Sequence, residues 1–256
     1  MIRKAMKILI SAVNLALVIT FLTFGSVGCS RDLKVFENGY FQYVIVDENN
    51  RNTDKDNGAV IAIVGFTLSG KQQEIIEFPR EIDGIPVQYI GYRDYSTFQE
   101  SFYHLESTKL KKAYVHDNIK SVYREAFLCF DENEQDLEIM ICAPRSPYSI
   151  FEEHNYGKFY IYKSLFDSDS FNENVYWANI VFMNNYSFGE KEGYYSLDNI
   201  ETGGKIPVPS TAPERNGYEF TGWYTEPECI NKWDFDMTLE LEKDEEFRLY
   251  AGWQTL

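Results

Sequence analysis

Four short apolar segments set the terms for any fold of this chain. Ile75-Ile76-Glu77-Phe78, Ala113-Tyr114-Val115, Ile139-Met140-Ile141 and Ile180-Val181-Phe182 recur at intervals of roughly 25–40 residues. All but the last are soon followed by a turn element: Pro79, Asp117-Asn118 or Pro144. A strand this short cannot bury a face by itself. Repeated at such intervals, it predicts stacked coils in which each neighbour supplies the missing partner surface. Long helical periods are scarce, so a mainly β chain is expected.

Two β-rich runs precede the array. Phe41–Val46 and residues 59–66 are dense in β-branched and aromatic side chains, and they flank a polar stretch ending Asp56-Asn57-Gly58. This predicts a hairpin with a long loop. Taking Gly58 as the sixth position puts Thr53, Lys55 and Asn57 at the ligand positions of a calcium loop. An ammonium at Lys55 disqualifies that reading, and a solvated loop is expected.

Within the array, Phe78, Ile82, Val87 and Ile90 in one coil, and Val115, Ile119, Val122 and Phe127 in the next, can point into a common interior. Ala126 falls where the coil tightens and a larger side chain would clash. The stretches Glu77-Phe78-Pro79 to Tyr89-Ile90-Gly91 and Leu110-Lys111-Lys112 to Ala126-Phe127-Leu128-Cys129 resemble the BspA-like leucine-rich repeat. His116 stands where that family has Pro, and Tyr123 where it has Gly. The resemblance implies a short, irregular leucine-rich-repeat solenoid of about two to four coils behind the N-terminal hairpin. Residues 136–144 are expected to form its last strand, and residues 147–177 a closing segment over the final open face.

The C-terminal stretch has its own vocabulary. Gly217-Tyr218-Glu219-Phe220-Thr221-Gly222-Trp223-Tyr224, then Cys229-Ile230-Asn231-Lys232-Trp233-Asp234-Phe235, then Leu249-Tyr250-Ala251-Gly252-Trp253 follow one another. Alternation in these runs predicts strands with one buried face, and Trp223, Trp233 and Trp253 are sufficient for most of the core of a small unit. The motifs resemble the Listeria–Bacteroides repeat, also called the internalin-type B repeat. That resemblance implies a small β-grasp-like sheet over one short helix.

The first residues read as an address. Arg3, Lys4 and Lys7 precede an apolar run over residues 8–24, and Gly25, Ser26, Val27 and Gly28 lead to Cys29. A basic start, an apolar centre and a small-residue exit describe a secretory signal. Ser26-Val27-Gly28-Cys29 resembles a bacterial lipobox, with Ser26 where Leu is usual. The resemblance implies lipidation of Cys29 and anchoring at the outer face of the bacterial membrane, since two or more acyl chains hold a protein stably. The expected organisation is a signal peptide over 1–28, a tether over 29–35, hairpin and repeats over 36–178 and the C-terminal module over 179–256. Cys129, Cys142 and Cys229 remain. A Cys129–Cys142 pair is open, but small apolar packers are the expected role.

The formal charge of −16 argues against nucleic acid and anionic lipid headgroups as partners, since both are bound through Lys and Arg. Aromatic residues make up 16% of the chain, too many for a disordered acidic polymer. No catalytic constellation is visible. His104, His116 and His154 fall in no metal-ligating or nucleophile-activating spacing, and there is no serine elbow, phosphate loop or dinucleotide fingerprint. Glu152-Glu153 and Glu245-Glu246 are adjacent in sequence and point apart in an extended chain. No enzymatic activity, cofactor or metal is therefore expected.

Both resemblances imply a non-enzymatic cell-surface protein that contacts a surface, matrix or host protein. A solenoid offers a broad surface of side chains from successive coils, and an open sheet edge can accept a partner's strand. The aromatic-rich residues 92–106, with Tyr92, Tyr95, Phe98, Phe102 and Tyr103, form the candidate binding patch, and cover for a solenoid flank is its competing role. The second functional reading is a carbohydrate-binding surface module, which requires aromatic rings in line on the surface.

Overall fold

The computed structural model describes residues 34–47, 59–94, 101–102, 105–107, 109–123, 126–127, 137–142, 157–163, 175–186 and 193–256. The chain is mainly β. It opens with β1 (Phe36–Asn38), β2 (Phe41–Val46) and β3 (Val60–Phe66), an antiparallel meander whose second and third strands are the expected hairpin. One 3-10 turn, Gly70–Gln72, leads into the array.

The array alternates between two sheets. β4 (Ile75–Glu77) is followed by β5 (Glu81–Ile82) and β6 (Ile85–Ile90). The short pair β7 (Arg93–Asp94) and β8 (Ser101–Phe102) comes next, then β9 (Lys112–His116) and β10 (Ser121–Val122). β11 (Glu138–Cys142), β12 (Lys158–Ile161) and β13 (Val175–Trp177) complete it. β4, β9, β11, β12 and β13 pair side by side in that order, all parallel. Across the core, β6 and β10 extend the hairpin sheet in parallel from β3. Two coils thus each supply one strand to either sheet.

Between the sheets lies one apolar cluster. It contains all eight residues expected to share an interior, Phe78, Ile82, Val87, Ile90, Val115, Ile119, Val122 and Phe127, together with Ala126. Gly91 shows how tightly the coils are wound. It has φ +83°, and a Cβ there would lie 2.9 Å from that of Tyr123 and 3.3 Å from that of Ala126. Only glycine meets both conditions.

The array runs further than the sequence suggests. Residues 136–144 do not hold its last strand: β12 and β13 continue the parallel sheet beyond β11. The physical reason is that Phe159 and Ile161 enter the same core as Ile139 and Ile141, so these are further rungs and not a separate cover.

Only Ala178 and Asn179 separate β13 from the C-terminal sheet. That sheet holds β14 (Ile180–Met183), β15 (Tyr194–Asp198), β17 (Tyr218–Tyr224) and β19 (Phe247–Thr255) in the order β15-β14-β19-β17. A two-stranded ribbon, β16 (Gly204–Lys205) with β18 (Thr238–Leu239), flanks it. Trp223 is buried with Ile180, Phe182, Ile206, Leu249 and Ala251, and Trp233 and Trp253 pack against them. The tryptophans therefore form the core, as their number suggests. The helix implied by resemblance is not found among the described residues of this module, where turns connect β17 to β18.

Candidate interaction site at the junction of the two modules

Alternation along the parallel sheet sends every second side chain outward. Ile75 and Glu77 leave β4 on that face, Lys112, Tyr114 and His116 leave β9, and Met140 and Cys142 leave β11. Tyr160 and Tyr176 follow in register on β12 and β13. The expected broad surface of successive coils is not open here. β15 lies over it, and Met140, Cys142, Tyr160, Tyr162, Tyr194 and Leu197 are buried together between the modules.

Polar contacts fix β15 in place. The Tyr194 hydroxyl donates to the Ile141 carbonyl at 2.9 Å, and the Leu197 amide lies 3.4 Å from Cys142 Sγ. Burial pushes the Cys142 thiol up to about 12, against hydrogen bonds to Ser196 and Leu197 that favour the thiolate. It is a free thiol in a packing role.

Lys112 is the centre of the charged contacts. Its Nζ donates to Asp198 Oδ1 at 2.6 Å and to the Asn199 carbonyl at 3.1 Å, and lies 3.2 Å from Glu138 Oε2. Burial would lower its pKa, but the Asp198 and Glu138 carboxylates outweigh burial and hold it above the usual lysine value. Tyr114 donates to Asp198 Oδ2 at 2.6 Å, and burial followed by the Asp198 charge raises its pKa. Asn199 donates to Glu138 Oε1 at 3.2 Å. Each carboxylate oxygen of the buried Asp198 thus has a partner, as a buried charge requires.

The two-residue link is equally fixed. The Asn179 side chain exchanges two hydrogen bonds with the Ile200 backbone, at 2.8 and 3.0 Å, and the Asn179 carbonyl accepts from the Phe247 amide. Ala178 donates to the Ile161 carbonyl, so the last rung and the first C-terminal strand share one hydrogen-bonded path.

A groove opens beside this network, at the β4 end of the sheet. Its cavity volume is about 280 Å³. Ile75 and Glu77 form one wall, Pro207, Val208 and Pro209 the other, with Phe182 and Tyr195 between them. Ile75 and Val208 are 59% and 63% exposed at its mouth. On its floor His116 Nε2 is 2.5 Å from Glu77 Oε1, and Ser210 Oγ donates to Glu77 Oε2. Burial raises the Glu77 pKa, but the His116 and Ser210 hydrogen bonds and the charges of His116 and Arg80 prevail, so it lies below the usual carboxylate value. β4 pairs with β9 on one side and, among the described residues, with no strand on the other.

The sequence-predicted patch fares differently. Tyr92 is 4% exposed and packs with Val44, Ala62 and Tyr89 on the face of the hairpin sheet turned away from the coil interior, so it is buried in a second apolar cluster and presents no ring to a partner. Phe102 stands in β8, opposite Arg93. Tyr95, Phe98 and Tyr103 lie outside the described residues, as do Cys29, the signal segment, Cys129, His104 and His154. Among the described residues, no three His, Cys, Asp or Glu side chains are placed to hold a metal, and no helix is long and apolar enough to cross a membrane. Sequence reasoning missed Lys112, Tyr114 and Asp198. The one signal was Lys112-x-Tyr114-x-His116, an alternation that puts three polar tips on one face.

Comparison with known proteins bears on the C-terminal module. Residues 179–252 match the family model of the Listeria-Bacteroides repeat domain. The match begins at Asn179, so the repeat domain starts within the two-residue link. Among solved structures, a leucine rich cell surface protein from Faecalibacterium prausnitzii A2-165 is similar at 14% identity and a TM-score of 0.23. The similarity covers 41% of this chain and 26% of that one, so this chain spans about a quarter of that protein. No curated protein matches the chain.

Proposed function

We propose that this chain is a bacterial surface lipoprotein, anchored through Cys29, that captures an extended segment of a partner protein without enzymatic activity. The open edge of β4 beside an apolar groove carries this reading. An edge strand presents unpaired N–H and C=O groups, and a partner's strand can add to them while pockets select alternate side chains. Ile75 and Val208 would flank an apolar partner residue seated in the groove, and the anionic Glu77 beneath favours a basic or hydrogen-bond-donating neighbour. β15 covers the outer face over β11 and β12, whereas the edge of β4 with Ile75 stays exposed for such a contact. The BspA-like character of the coils and the lipobox at Cys29 belong to the same proposal. So does a further contribution from Tyr95, Phe98, Phe102 and Tyr103.

The test uses the exported chain from residue 30 against cell-surface and matrix proteins and a library of extended peptides. Saturable binding that falls at least tenfold in Ile75→Lys and Val208→Lys, with unchanged circular dichroism, supports the proposal. Binding indifferent to both substitutions overturns the groove assignment. For the anchor, Cys29→Ala should move the protein from the membrane fraction to the medium, and unchanged fractionation counts against lipidation.

A further inference from the structure

At the opposite end of the same sheet lies a second, larger cleft of about 840 Å³, within the roughly 300–1,000 Å³ of small-ligand sites. One wall is the outer face of the last two rungs, where Tyr160 and Tyr176 stand in register. The other is the turn over residues 241–246 of the repeat domain, and Asn199 and Thr202 lie between them. Tyr176 is 42% exposed, the only large ring so open among the cleft's lining residues. Its centroid is 5.7 Å from that of the buried Tyr160, with 32° between the planes, so the exposed ring leans on a fixed one.

We propose that this cleft binds a neutral or amine-bearing oligosaccharide, with Tyr176 as its stacking face. A pyranose carries an apolar face of C–H groups and a rim of hydroxyls, and needs an aromatic plane on one side and hydrogen-bonding groups on the other. Both are present. Tyr160 supports the stacking face: its hydroxyl is held by Glu138, which Lys112 and Asn199 hold in turn, so the ring is fixed before any ligand arrives. The facing turn is shaped by its own contacts, the Glu242 amide to Glu245 Oε2 at 2.9 Å and the Glu245 amide to the Glu242 carbonyl at 3.1 Å. This leaves the exposed carboxylates of Glu242 and Asp244 directed at no partner among the described residues, and such groups accept hydrogen bonds from sugar hydroxyls or a sugar ammonium.

Charge decides the class of sugar. Four carboxylates line the cleft, Glu242, Asp244, Glu245 and Glu246, against the ammonium groups of Lys163 and Lys243. Among the described residues, Glu246 alone of the four is in an ion pair, with Arg248 at 2.6 Å. A sulfated or uronic chain would meet this excess and the net charge of −16 of the whole protein. Neutral and amino sugars would not.

The experiment titrates the exported chain with four probes: an N-acetylglucosamine tetramer, its de-N-acetylated counterpart, a galactose-terminated neutral oligosaccharide and a heparin tetrasaccharide. The first two represent cell-wall chemistry and the third a host-type glycan. Saturable binding of any of the first three, with heparin at least tenfold weaker, is expected. Tyr176→Ala should weaken that binding at least tenfold, and Tyr176→Leu, which keeps the volume but not the plane, should do the same with unchanged thermal unfolding. Glu242→Gln should weaken the amine-bearing probe more than the acetylated one. Absence of saturation with all three, preference for heparin, or binding unaffected by both Tyr176 substitutions would overturn the proposal. So would displacement by a basic peptide with no sugar binding. Ile75→Lys lies at the other end of the sheet and should leave sugar binding intact, so failure of this site and failure of the protein groove are read separately.

Discussion

Lys112 Nζ and Asp198 Oδ1 meet at 2.6 Å across the junction, the lysine side chain 15% and the aspartate 2% exposed. One residue belongs to the second coil and the other to the repeat domain, so this contact ties the two modules at a sequence separation of 86. Removing the lysine leaves two carboxylates, Asp198 and Glu138, without their cation. Lys112→Met should therefore lower unfolding free energy by about 3–5 kcal/mol, measured by urea denaturation. Lys112→Met combined with Asp198→Leu should recover part of the loss, because the more deeply buried carboxylate is then gone, while Glu138, 23% exposed, loses its cation but keeps the hydrogen bond from Asn199. A loss below about 1 kcal/mol in the single variant would show the contact to be solvent-screened.

Acid should loosen the β4 end of the junction. The folded-state pKa of Glu77 lies below the usual value of 4.5. Its stabilisation is therefore fully present above that value and is lost as pH falls through the depressed folded one. The stability gap between the wild type and Glu77→Gln should be about 1–3 kcal/mol at neutral pH and should close as the solution is acidified below 4.5. Lys112 works in the other direction. Its raised pKa gives stability present below the unfolded lysine value and lost as pH rises through the folded one. A gap for Glu77→Gln that is flat from neutral pH to pH 3 would contradict the assignment.

Which parts of this architecture were legible in the sequence follows from how locally each is encoded. The interior of the coils was readable because Phe78, Val87, Val115 and Val122 sit in short strands bounded by turns, where alternation sorts core from surface. Phe159-Tyr160-Ile161 defeated the same rule. Phe159 and Ile161 enter the coil core while Tyr160 is buried under the repeat domain, so both faces are apolar and no alternation survives. Lys112 and Asp198 were invisible for another reason: each is one of many charged residues, and nothing near either encodes a partner so remote in sequence. Tyr92 misled because an aromatic beside polar residues reads as a surface patch, whereas the hairpin sheet buries it.

The tight winding at Gly91 gives a prediction about volume. Ala126 is fully buried, and its Cβ lies where a side chain at Gly91 would meet it. Ala126→Leu should force the two coils apart and cost about 1–3 kcal/mol, read as a lower denaturation midpoint with an unchanged slope. Ala126→Gly should cost less, about 0.5–1 kcal/mol, because it removes only one methyl and adds backbone freedom to the unfolded chain. Equal tolerance of Leu and Gly would mean that the interior has space the packing does not show.

Cys142 offers a reporter for whether the junction stays closed. Its thiol lies beneath β15, and burial raises its pKa to about 12, which keeps it in the unreactive thiol form at pH 8. Cys229, with φ +56°, sits in a turn and is half-buried. Its thiol is also raised by burial, opposed by a hydrogen bond from Asn185, but reagent can reach it. Iodoacetamide at pH 8 should therefore label Cys229 readily and leave Cys142 unmodified until denaturant is added, as peptide mass spectrometry would show. Lys112→Met should speed labelling of Cys142 without altering that of Cys229, because the lysine holds the strand that covers the first thiol and touches nothing near the second. Equal labelling of both in the native wild type would mean that β15 lifts from the sheet on the timescale of the reaction. The repeat domain would then be a detachable cover, and the outer face of the parallel sheet would open as a binding surface.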